Sequence, residues 1–335
     1  MNRLISVVIP MYNTEKYISD CLDSLMEQTY SNFEAIVIND GSTDRCGDIV
    51  KEYMRKESRF KLIEQKNQGA SAARNLGIEL SRGDYLYFLD SDDYIHKNTF
   101  QSCMSCFEDE EVDMVTFDAQ CIFEEDYLNN RPLDKINKTI DFYDRKGSLN
   151  DVYIIDIIEF LRLSALNGKI RGNMCLCMIK SNTVKNRKIV FDNRITYYED
   201  YLFYYLLSKY ITKVRYINEK FYYRRMTGNS LVTKSNISKK MAEDLFYCVD
   251  FLENDYPTLN DKEKIINRLF KKEFIKTANI NREKSLYEGN GIAKIENDRW
   301  NIFYSGLDKY RQVREGYEFE YNKTLSDIEL ILNGI

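Results

Sequence analysis

The chain has 335 residues, of which 44% are hydrophobic and 30% are charged, and its formal net charge at neutral pH is -5. This composition is typical of a globular protein, and the mixed charges exclude the basic stripe of a nucleic-acid-binding surface. No stretch reaches the roughly 20 apolar residues that a membrane-spanning helix needs. Eight cysteines without a disulfide framework favour a reducing, cytoplasmic location. We therefore expect a cytoplasmic protein that does not bind nucleic acid.

The first hundred or so residues alternate short apolar runs with amphipathic stretches, a pattern that predicts an α/β fold. The predicted strands, in chain order, are LISVVIP, FEAIVIND, FKLIEQ and DYLYFLD. Between the last two, the small residues of ASAARNLGIEL predict a helix that packs closely on the sheet. We expect a Rossmann-like, mostly parallel central sheet that is flanked by helices.

The chain after residue 105 is less regular. We predict a strand VDMVTFDA, loops over residues 124–150, a helix near 152–166, a strand MCLCMIK, a helix around 201–207 and a strand KVRYINEKFYYRR. Beyond about residue 235 the sequence is helical to its end. This pattern predicts one domain over 1–232, with a regular first half 1–105 and a mixed second half 106–232, and a helical C-terminal region over 233–335.

Polar residues follow three of the predicted strands, at Asn13, at Asp40 and at Asp90 to Asp93. The carboxyl ends of the strands of an open α/β sheet form one edge, and ligands bind in the crevice at that edge. The sequence therefore predicts a nucleotide site there.

The turn Asp90-Ser91-Asp92-Asp93 gathers several carboxylates, and such a turn suits a hard divalent cation, Mg²⁺ or Mn²⁺, that also binds substrate phosphates. The alternative is a helix N-terminus, where an aspartate accepts hydrogen bonds from free backbone N–H groups. The turn alone favours neither. The single histidine, His96, needs no role beyond that of a loop residue.

Two further side chains suit the same edge. Asp40 can accept the ring N–H of a uracil, although an aspartate after a strand is more often a turn residue. Arg74, on the small-residue helix, can donate charge-assisted hydrogen bonds to a diphosphate, and the alternative is a solvated surface arginine.

The segments SVVIPMYN, INDGSTD, NQGASAARNLGI and YLYFLDSDD resemble, in order and spacing, the signature series of family-2 inverting glycosyltransferases with the GT-A fold. The resemblance is close over the first hundred residues and looser to about residue 230. It implies that 1–232 form a GT-A catalytic domain, with 1–105 as the nucleotide-sugar-binding half and 106–232 as the acceptor half. It implies that Asp40 contacts the nucleotide base and that Asp92 binds the metal. The other residues that it assigns to the nucleotide sugar are Pro10, Met11, Asn13, Asp90 and Ser91.

Inverting sugar transfer needs a general base, and the family places it in a Glu-Asp pair in the second half. In TYYEDYLF the resemblance assigns Asp200 as the base and Glu199 as a neighbour that orients it or raises its pKa. Two acids at the start of a helix are the alternative interpretation. The segment from Tyr223 to Ser230 resembles the family's post-catalytic loop, with Arg224 as a clamp on the diphosphate.

The implied reaction moves a sugar from a nucleotide-diphosphate sugar, preferably linked to UDP, to a hydroxyl of a glycan, glycolipid or glycoprotein of the bacterial surface type. A sugar nucleotidyltransferase is an alternative, but PMYNTEKY lacks the glycines of its phosphate loop. A non-catalytic nucleotide-sugar-binding subunit is another, but both key carboxylates are present. The sequence leaves undecided whether the protein contacts the inner face of the membrane and whether it self-associates through the C-terminal helices.

Overall fold

The computed structural model describes residues 3–109, 111–129, 133–143, 154–166, 170–228 and 239–287. Within these residues a single sheet runs through the molecule. Its strands are β1 (Ile5–Met11), β2 (Phe33–Asp40), β3 (Phe60–Gln65), β4 (Tyr85–Phe88), β5 (Tyr94–Ile95), β6 (Val112–Phe123), β7 (Ile155–Asp156), β8 (Cys177–Lys180) and β9 (Lys213–Met226). The strand order is β3-β2-β1-β4-β8-β6-β9-β5, and β7 pairs with β9.

Helices connect these strands and extend the chain beyond them. They are α1 (Ile18–Met26), α2 (Cys46–Lys56), α3 (Ala70–Leu80), α4 (Thr99–Cys106), α5 (Glu125–Leu128), α6 (Leu133–Tyr143), α7 (Ile157–Leu166), α8 (Ser181–Asn186), α9 (Glu199–Ser208), α10 (Lys239–Asp255) and α11 (Asp261–Tyr287). Short 3₁₀ turns lie at Met174–Leu176 and Tyr256–Thr258.

The first four strands form the parallel part of the sheet, with β1 between β2 and β4. β1 is buried along its whole length, as expected for a strand covered on both faces. Ala35 and Val37 of β2 pack in the same core as residues of α1 and α2, whereas Ile36 and Ile38 pack on Ala73 of α3. The predicted α/β class, with helices on both faces of the sheet, is confirmed.

The second half of the sheet is mixed. β6 and β9 run parallel over most of their length. The antiparallel pairings of β8 with β4 and β6, and of β9 with β5 and β7, are only two or three residue pairs long. The long pairings are therefore parallel, and short antiparallel ones join the two halves.

Helix α3 lies unusually close to β1. A Cβ atom at Gly77 would lie 2.2 Å from Cγ1 of Val8, so only glycine fits at this crossing. Arg74 is three residues earlier on the same helix and faces the same side. The close approach thus carries its guanidinium toward the carboxyl ends of β1 and β4.

One local prediction was wrong, and another was correct only in part. Residues 124–150 were expected to be loops, but α5 and α6 lie within them. Ile136 and Tyr143, seven residues apart, are the buried side of α6, and the intervening Asn and Lys residues obscured that spacing. The strand expected at MCLCMIK is restricted to Cys177–Lys180, because the preceding residues form a 3₁₀ turn.

The helices that follow β9 pack on α9. Phe270 of α11 contacts Tyr204 and Tyr205, with 5.6 Å between ring centroids in each pair. Asn267 donates to the Tyr205 hydroxyl and to the carbonyl of Leu252 in α10. Residues Met1–Ala278 form one compact unit and Asn279–Ile335 a second, of which only 279–287, the end of α11, are described. The helix predicted beyond 287 lies outside the described residues, and the boundary at 232 stays a prediction.

None of the described helices has the length and apolarity needed to cross a bilayer.

Candidate active site

The loops after β1 and β2 are fastened to each other at the predicted edge. Asn13 has a positive φ of 51°, and its Oδ1 accepts a hydrogen bond of 2.8 Å from the Thr43 backbone N–H. Its own N–H donates to Ser42 Oγ over 3.1 Å. Pro10 and Met11 are the buried end of β1 immediately before this loop. Two hydrogen bonds of Asn13 thus join the loops after β1 and β2.

Asp40 is buried and is already used by the protein. Its Oδ1 accepts from the Gln65 side chain and from the Gln68 backbone N–H, and its Oδ2 accepts from the Gly69 backbone N–H. A carboxylate has about four acceptor positions, so one more hydrogen bond is available at Oδ2. Asp40 therefore fixes the loop before α3, and its contact with a uracil stays a prediction.

Asp93 anchors the acidic turn to β9. Its carboxylate accepts hydrogen bonds of 2.6 Å from the Tyr222 hydroxyl and from the Arg225 backbone N–H. The Arg225 side chain also donates to the backbone carbonyl of Asp92 and pairs with Glu124. Burial raises the pKa of Asp93 well above its usual value. Sequence reasoning assigned no role to Arg225, although it is adjacent to Arg224.

Asp92 is half-buried, and no ion pair with its carboxylate occurs in the described part of the chain. The turn leads into β5, and α4 begins only at Thr99, so the interpretation of Asp92 as a helix cap is wrong. Ser91, also in the turn, accepts from the Thr14 hydroxyl over 3.2 Å. Burial and then the charge of Asp90 raise the pKa of Asp92.

The side chains available as ligands limit how a metal can bind. Among the residues that the structure describes, no group of three or more His, Cys, Asp or Glu side chains converges as a metal site. Mg²⁺ and Mn²⁺ nevertheless bind through one or two carboxylates when substrate phosphates supply further oxygens. Asp92 fits that kind of site and does not fit an all-protein one.

Arg74 joins the two halves of the site. Its Nη2 lies 3.0 Å from Asp90 Oδ1, while its Nη1 lies 3.1 Å from Glu199 Oε1 and 3.5 Å from Asp200 Oδ1. The guanidinium is buried and stacks on Phe191. Burial disfavours the charge on Asp90, but Arg74 and then Arg224 outweigh it and lower the pKa of Asp90. With three carboxylates around Arg74, its contact with a diphosphate stays a prediction.

Glu199 and Asp200 begin α9, and both face Arg74 instead of solvent. Burial, and then the charge of Asp200, raise the pKa of Glu199 to about 7. Burial also raises the pKa of Asp200. Asp200 Oδ1 is buried and has no hydrogen-bond partner among the described residues. A buried carboxylate oxygen with a free lone pair and a raised pKa can accept a proton.

Arg224 completes the cluster from β9. Its Nη1 lies 3.4 Å from a carboxylate oxygen of Asp90 and 3.4 Å from one of Asp93, and its guanidinium lies over the Tyr143 ring. Asp90 is therefore paired with both Arg224 and Arg74. The end of the predicted closing loop, Asn229 and Ser230, lies outside the described residues.

An open cleft of about 360 Å³ lies elsewhere, lined by His96, Phe221 and Tyr223 among others. Side chains alternate along a strand, and Tyr222 and Arg224 reach Asp93 and Asp90. Phe221 and Tyr223 therefore face the opposite side of β9. This cleft is separate from the carboxylate cluster.

Comparison with known proteins gives a family match for the N-terminal half of the chain. Residues 6–167 match the family "Glycosyl transferase family 2". EpsH of Bacillus subtilis (strain 168) is 32% identical over 241 residues, which are 71% of this chain and 65% of EpsH. The chain thus spans just under two thirds of that relative's length.

Solved structures share the fold. S. aureus TarS 1-349 in complex with UDP-GlcNAc has a TM-score of 0.62 at 21% identity, over 81% of this chain and 71% of TarS 1-349. The mannosyltransferase PcManGT from Pyrobaculum calidifontis, in complex with GDP-Man and Mn²⁺, has a TM-score of 0.53 at 16% identity, over 98% of this chain and 87% of PcManGT. Residues 6–167 are therefore similar to glycosyl transferase family 2, and the chain has a GT-A type of fold.

Proposed function

We propose that this chain is an inverting glycosyltransferase that moves a sugar from a UDP-sugar to a hydroxyl of a glycan, glycolipid or glycoprotein. The observation that carries the proposal is the cluster around Arg74, which brings donor-side Asp90 beside the acidic pair Glu199 and Asp200. The family match of residues 6–167 supports the reaction class. The UDP-GlcNAc complex of TarS supports the choice of a uridine nucleotide.

In the proposed reaction, Asp200 Oδ1 takes the proton of the acceptor hydroxyl. The hydroxyl oxygen forms a bond to the anomeric carbon on the face opposite the diphosphate. The bond from that carbon to the diphosphate oxygen breaks, and UDP leaves with the electron pair. The anomeric configuration is inverted because attack and departure occur on opposite faces. Proton transfer by a positioned base contributes typically about 10² to 10⁴-fold to the rate.

The remaining residues bind and orient the donor. Asp40 contributes its free acceptor position to the base, and Asp90 contacts the ribose or the sugar from its position beside Arg74 and Arg224. A Mn²⁺ or Mg²⁺ ion at Asp92 would neutralise charge on the diphosphate. Arg224 approaches Asp90 from β9, where it can donate to the departing diphosphate.

The two alternatives fit the site less well. A nucleotidyltransferase needs a flexible glycine-rich phosphate loop after β1. Here that loop has no glycine and is tied to Ser42 and Thr43 through Asn13. A non-catalytic binding subunit needs no base, whereas Asp200 presents a buried oxygen that accepts no hydrogen bond from the described residues.

The test is a screen of the purified full chain with UDP-glucose, UDP-galactose, their N-acetyl forms and GDP-mannose. UDP or GDP release is measured with Mn²⁺, with Mg²⁺ and with EDTA, and products on a glycan panel are identified by mass spectrometry. We expect metal-dependent transfer from a UDP-sugar, with a product whose anomeric configuration by NMR is opposite to that of the donor. Retention of configuration contradicts the Asp200 mechanism. Pyrophosphate release from a nucleoside triphosphate and a sugar phosphate favours the nucleotidyltransferase.

A further inference from the structure

The turn that presents the acidic pair has an unusual backbone. Tyr198, immediately before Glu199, has a φ of 66° and a ψ of 11°, which is the left-handed conformation. Bulky residues rarely adopt this conformation, and it persists only where the surroundings fix it. The directions of the Glu199 and Asp200 side chains depend on this turn, since α9 begins there.

Helix α10, from the C-terminal helical segment, fixes the turn through Asp244. Asp244 Oδ2 accepts hydrogen bonds of 2.7 Å from the Thr196 backbone N–H and 3.0 Å from that of Tyr197. The Asp244 side chain is buried, and its other oxygen pairs with Lys240 over 2.7 Å. Two consecutive amides directly before the left-handed residue thus share one buried carboxylate as their acceptor.

The same face of α10 contacts the preceding loop at two more points. Lys240, Asp244 and Tyr247 are spaced by four and three residues, so they lie on one side of the helix. Lys240 donates to the backbone carbonyl of Arg194 over 3.2 Å, and the Tyr247 hydroxyl donates to Asp192 over 2.7 Å. The loop before the acidic pair is therefore bound along its length.

Helix α11 supports the turn from another side. The Phe274 ring lies 6.2 Å from that of Tyr198 and 6.1 Å from that of Tyr201. Gly172 closes the space behind Tyr201, because a Cβ there would lie 2.6 Å from the Tyr201 ring. Tyr198 and Tyr201, which flank the acidic pair, are therefore both held by packing.

We propose that Asp244 is a positioning residue for Glu199 and Asp200, and that the α10 face formed by Lys240, Asp244 and Tyr247 supports the turn before them. Asp244 fixes the Thr196–Tyr198 turn, and the turn aims the acidic pair at Arg74 and the acceptor. The role of the pair as base rests on the proposed function, whereas the role of Asp244 in the turn can be measured without activity.

The structural test is hydrogen exchange of the full chain with Asp244→Ala. The Thr196 and Tyr197 amides lose their acceptor, and we expect them to exchange at least about tenfold faster, with the sheet unchanged. Asp250→Ala is the matched control, because Asp250 is an exposed aspartate on the same helix. Unchanged exchange at Thr196 and Tyr197 in the folded variant overturns the proposal.

The functional test compares Asp244→Ala, Asp244→Asn and Asp250→Ala in the transfer assay. A misaligned base lowers kcat, and we expect a fall of about 10- to 100-fold for Asp244→Ala and a smaller fall for Asp244→Asn, which retains one acceptor oxygen. The KM for the UDP-sugar and the Kd of UDP should stay close to those of the wild type, since Asp244 does not contact the donor edge. A parallel loss of UDP affinity, or an unchanged kcat, overturns the positioning role.

Tyr247→Phe keeps the test decisive if Asp244→Ala does not fold. It removes only the hydroxyl that donates to Asp192, so we expect faster exchange in residues 192–197 and a modest fall in kcat. No change in either overturns the proposal. If the wild type transfers no sugar, the proposed function fails, and the exchange experiment still decides whether Asp244 fixes the turn.

Discussion

Arg74 and Glu199, separated by 125 positions in the chain, are joined by a hydrogen bond of 3.1 Å between Nη1 and Oε1. Arg74 belongs to a helix packed on the parallel strands, and Glu199 begins a helix of the second half. The same guanidinium also pairs with Asp90 and Asp200. One buried cation therefore neutralises carboxylates from both halves, and the site exists only when the halves have folded together.

Replacing Arg74 by glutamine should be strongly destabilising. Removal of one partner from a buried ion pair typically costs about 3–5 kcal/mol, because the remaining charges stay buried and unpaired. Here Asp90, Glu199 and Asp200 would repel one another, and their pKa values would rise. The loss of stability should therefore shrink as the pH falls and these groups take up protons. Urea unfolding across a pH series measures it.

Arg82→Gln is the control, because the Arg82 side chain is 69% exposed and pairs with Glu34. Glu34 is buried but keeps its ion pair with Lys61, so loss of the exposed Arg82 side chain should cost only about 0–1 kcal/mol. A variant at Arg74 that is no less stable than the one at Arg82 contradicts a central role for Arg74.

Replacing Glu199 by glutamine should change how stability depends on pH. Burial and the charge of Asp200 raise the pKa of Glu199 from 4.5 to about 7, so the folded state binds a proton more tightly than the unfolded chain. Wild-type stability therefore decreases as the pH rises through that window, whereas glutamine has no proton to lose. Relative to wild type, Glu199→Gln should gain up to about 3 kcal/mol from acidic to alkaline pH.

The measurement is urea unfolding of both proteins at about pH 5 and about pH 8, with the difference between them compared across pH. Comparing the difference across pH removes any pH-independent change in the free energy of unfolding that the amide causes beside Arg74. A difference that does not change with pH means that Glu199 is ionised throughout, and its pKa is then not raised.

The parts of the site near a strand end could be predicted from the sequence. Asp90 and Asp92 follow an apolar strand, and Asn13 and Asp40 follow two others, so parallel pairing alone brings them to one edge. The sequence alone did not decide between a metal site and a helix N-terminus at the acidic turn, and the structure excludes the helix N-terminus. The chain after Asp93 continues as β5, and a short strand of two residues leaves too little periodicity to be recognised.

The parts that depend on side-chain contacts between distant segments could not be predicted. Arg74 was expected at a diphosphate, and nothing in its helix indicates that three carboxylates surround it. Asp244 is one acid among many in a helix of mixed charges, and only the folded chain places it under the Thr196 and Tyr197 amides. Such contacts follow from tertiary packing and leave no periodic pattern in the sequence.

Asp92 and Asp93 are adjacent but should respond differently to asparagine. Asp92 has no ion pair in the described part of the chain, so Asp92→Asn should change stability by no more than about 0.5 kcal/mol. Asp93 accepts from Tyr222 and from the Arg225 backbone, so Asp93→Asn should cost about 1–3 kcal/mol. Thermal and urea unfolding measure both effects.

UDP binding, in contrast to stability, should depend on Asp92. Titration of UDP with and without Mn²⁺ should show that the metal strengthens UDP binding to the wild type and not to Asp92→Asn. Binding of UDP that is equally tight without metal, in the wild type, would remove the metal assignment of Asp92.

Asp200→Asn should separate binding from transfer. The amide cannot take the acceptor proton, and we expect kcat to fall by about 10² to 10⁴-fold, the usual contribution of a positioned base. The Kd of UDP should stay near that of the wild type, because Asp200 is not among the residues proposed to bind the donor. Asp48→Asn on α2 is the control, since Asp48 is 70% exposed and α2 packs on the opposite face of the sheet from α3. If Asp200→Asn turns over normally while Glu199→Gln does not, the proton goes to Glu199, whose pKa of about 7 also suits a base near neutral pH.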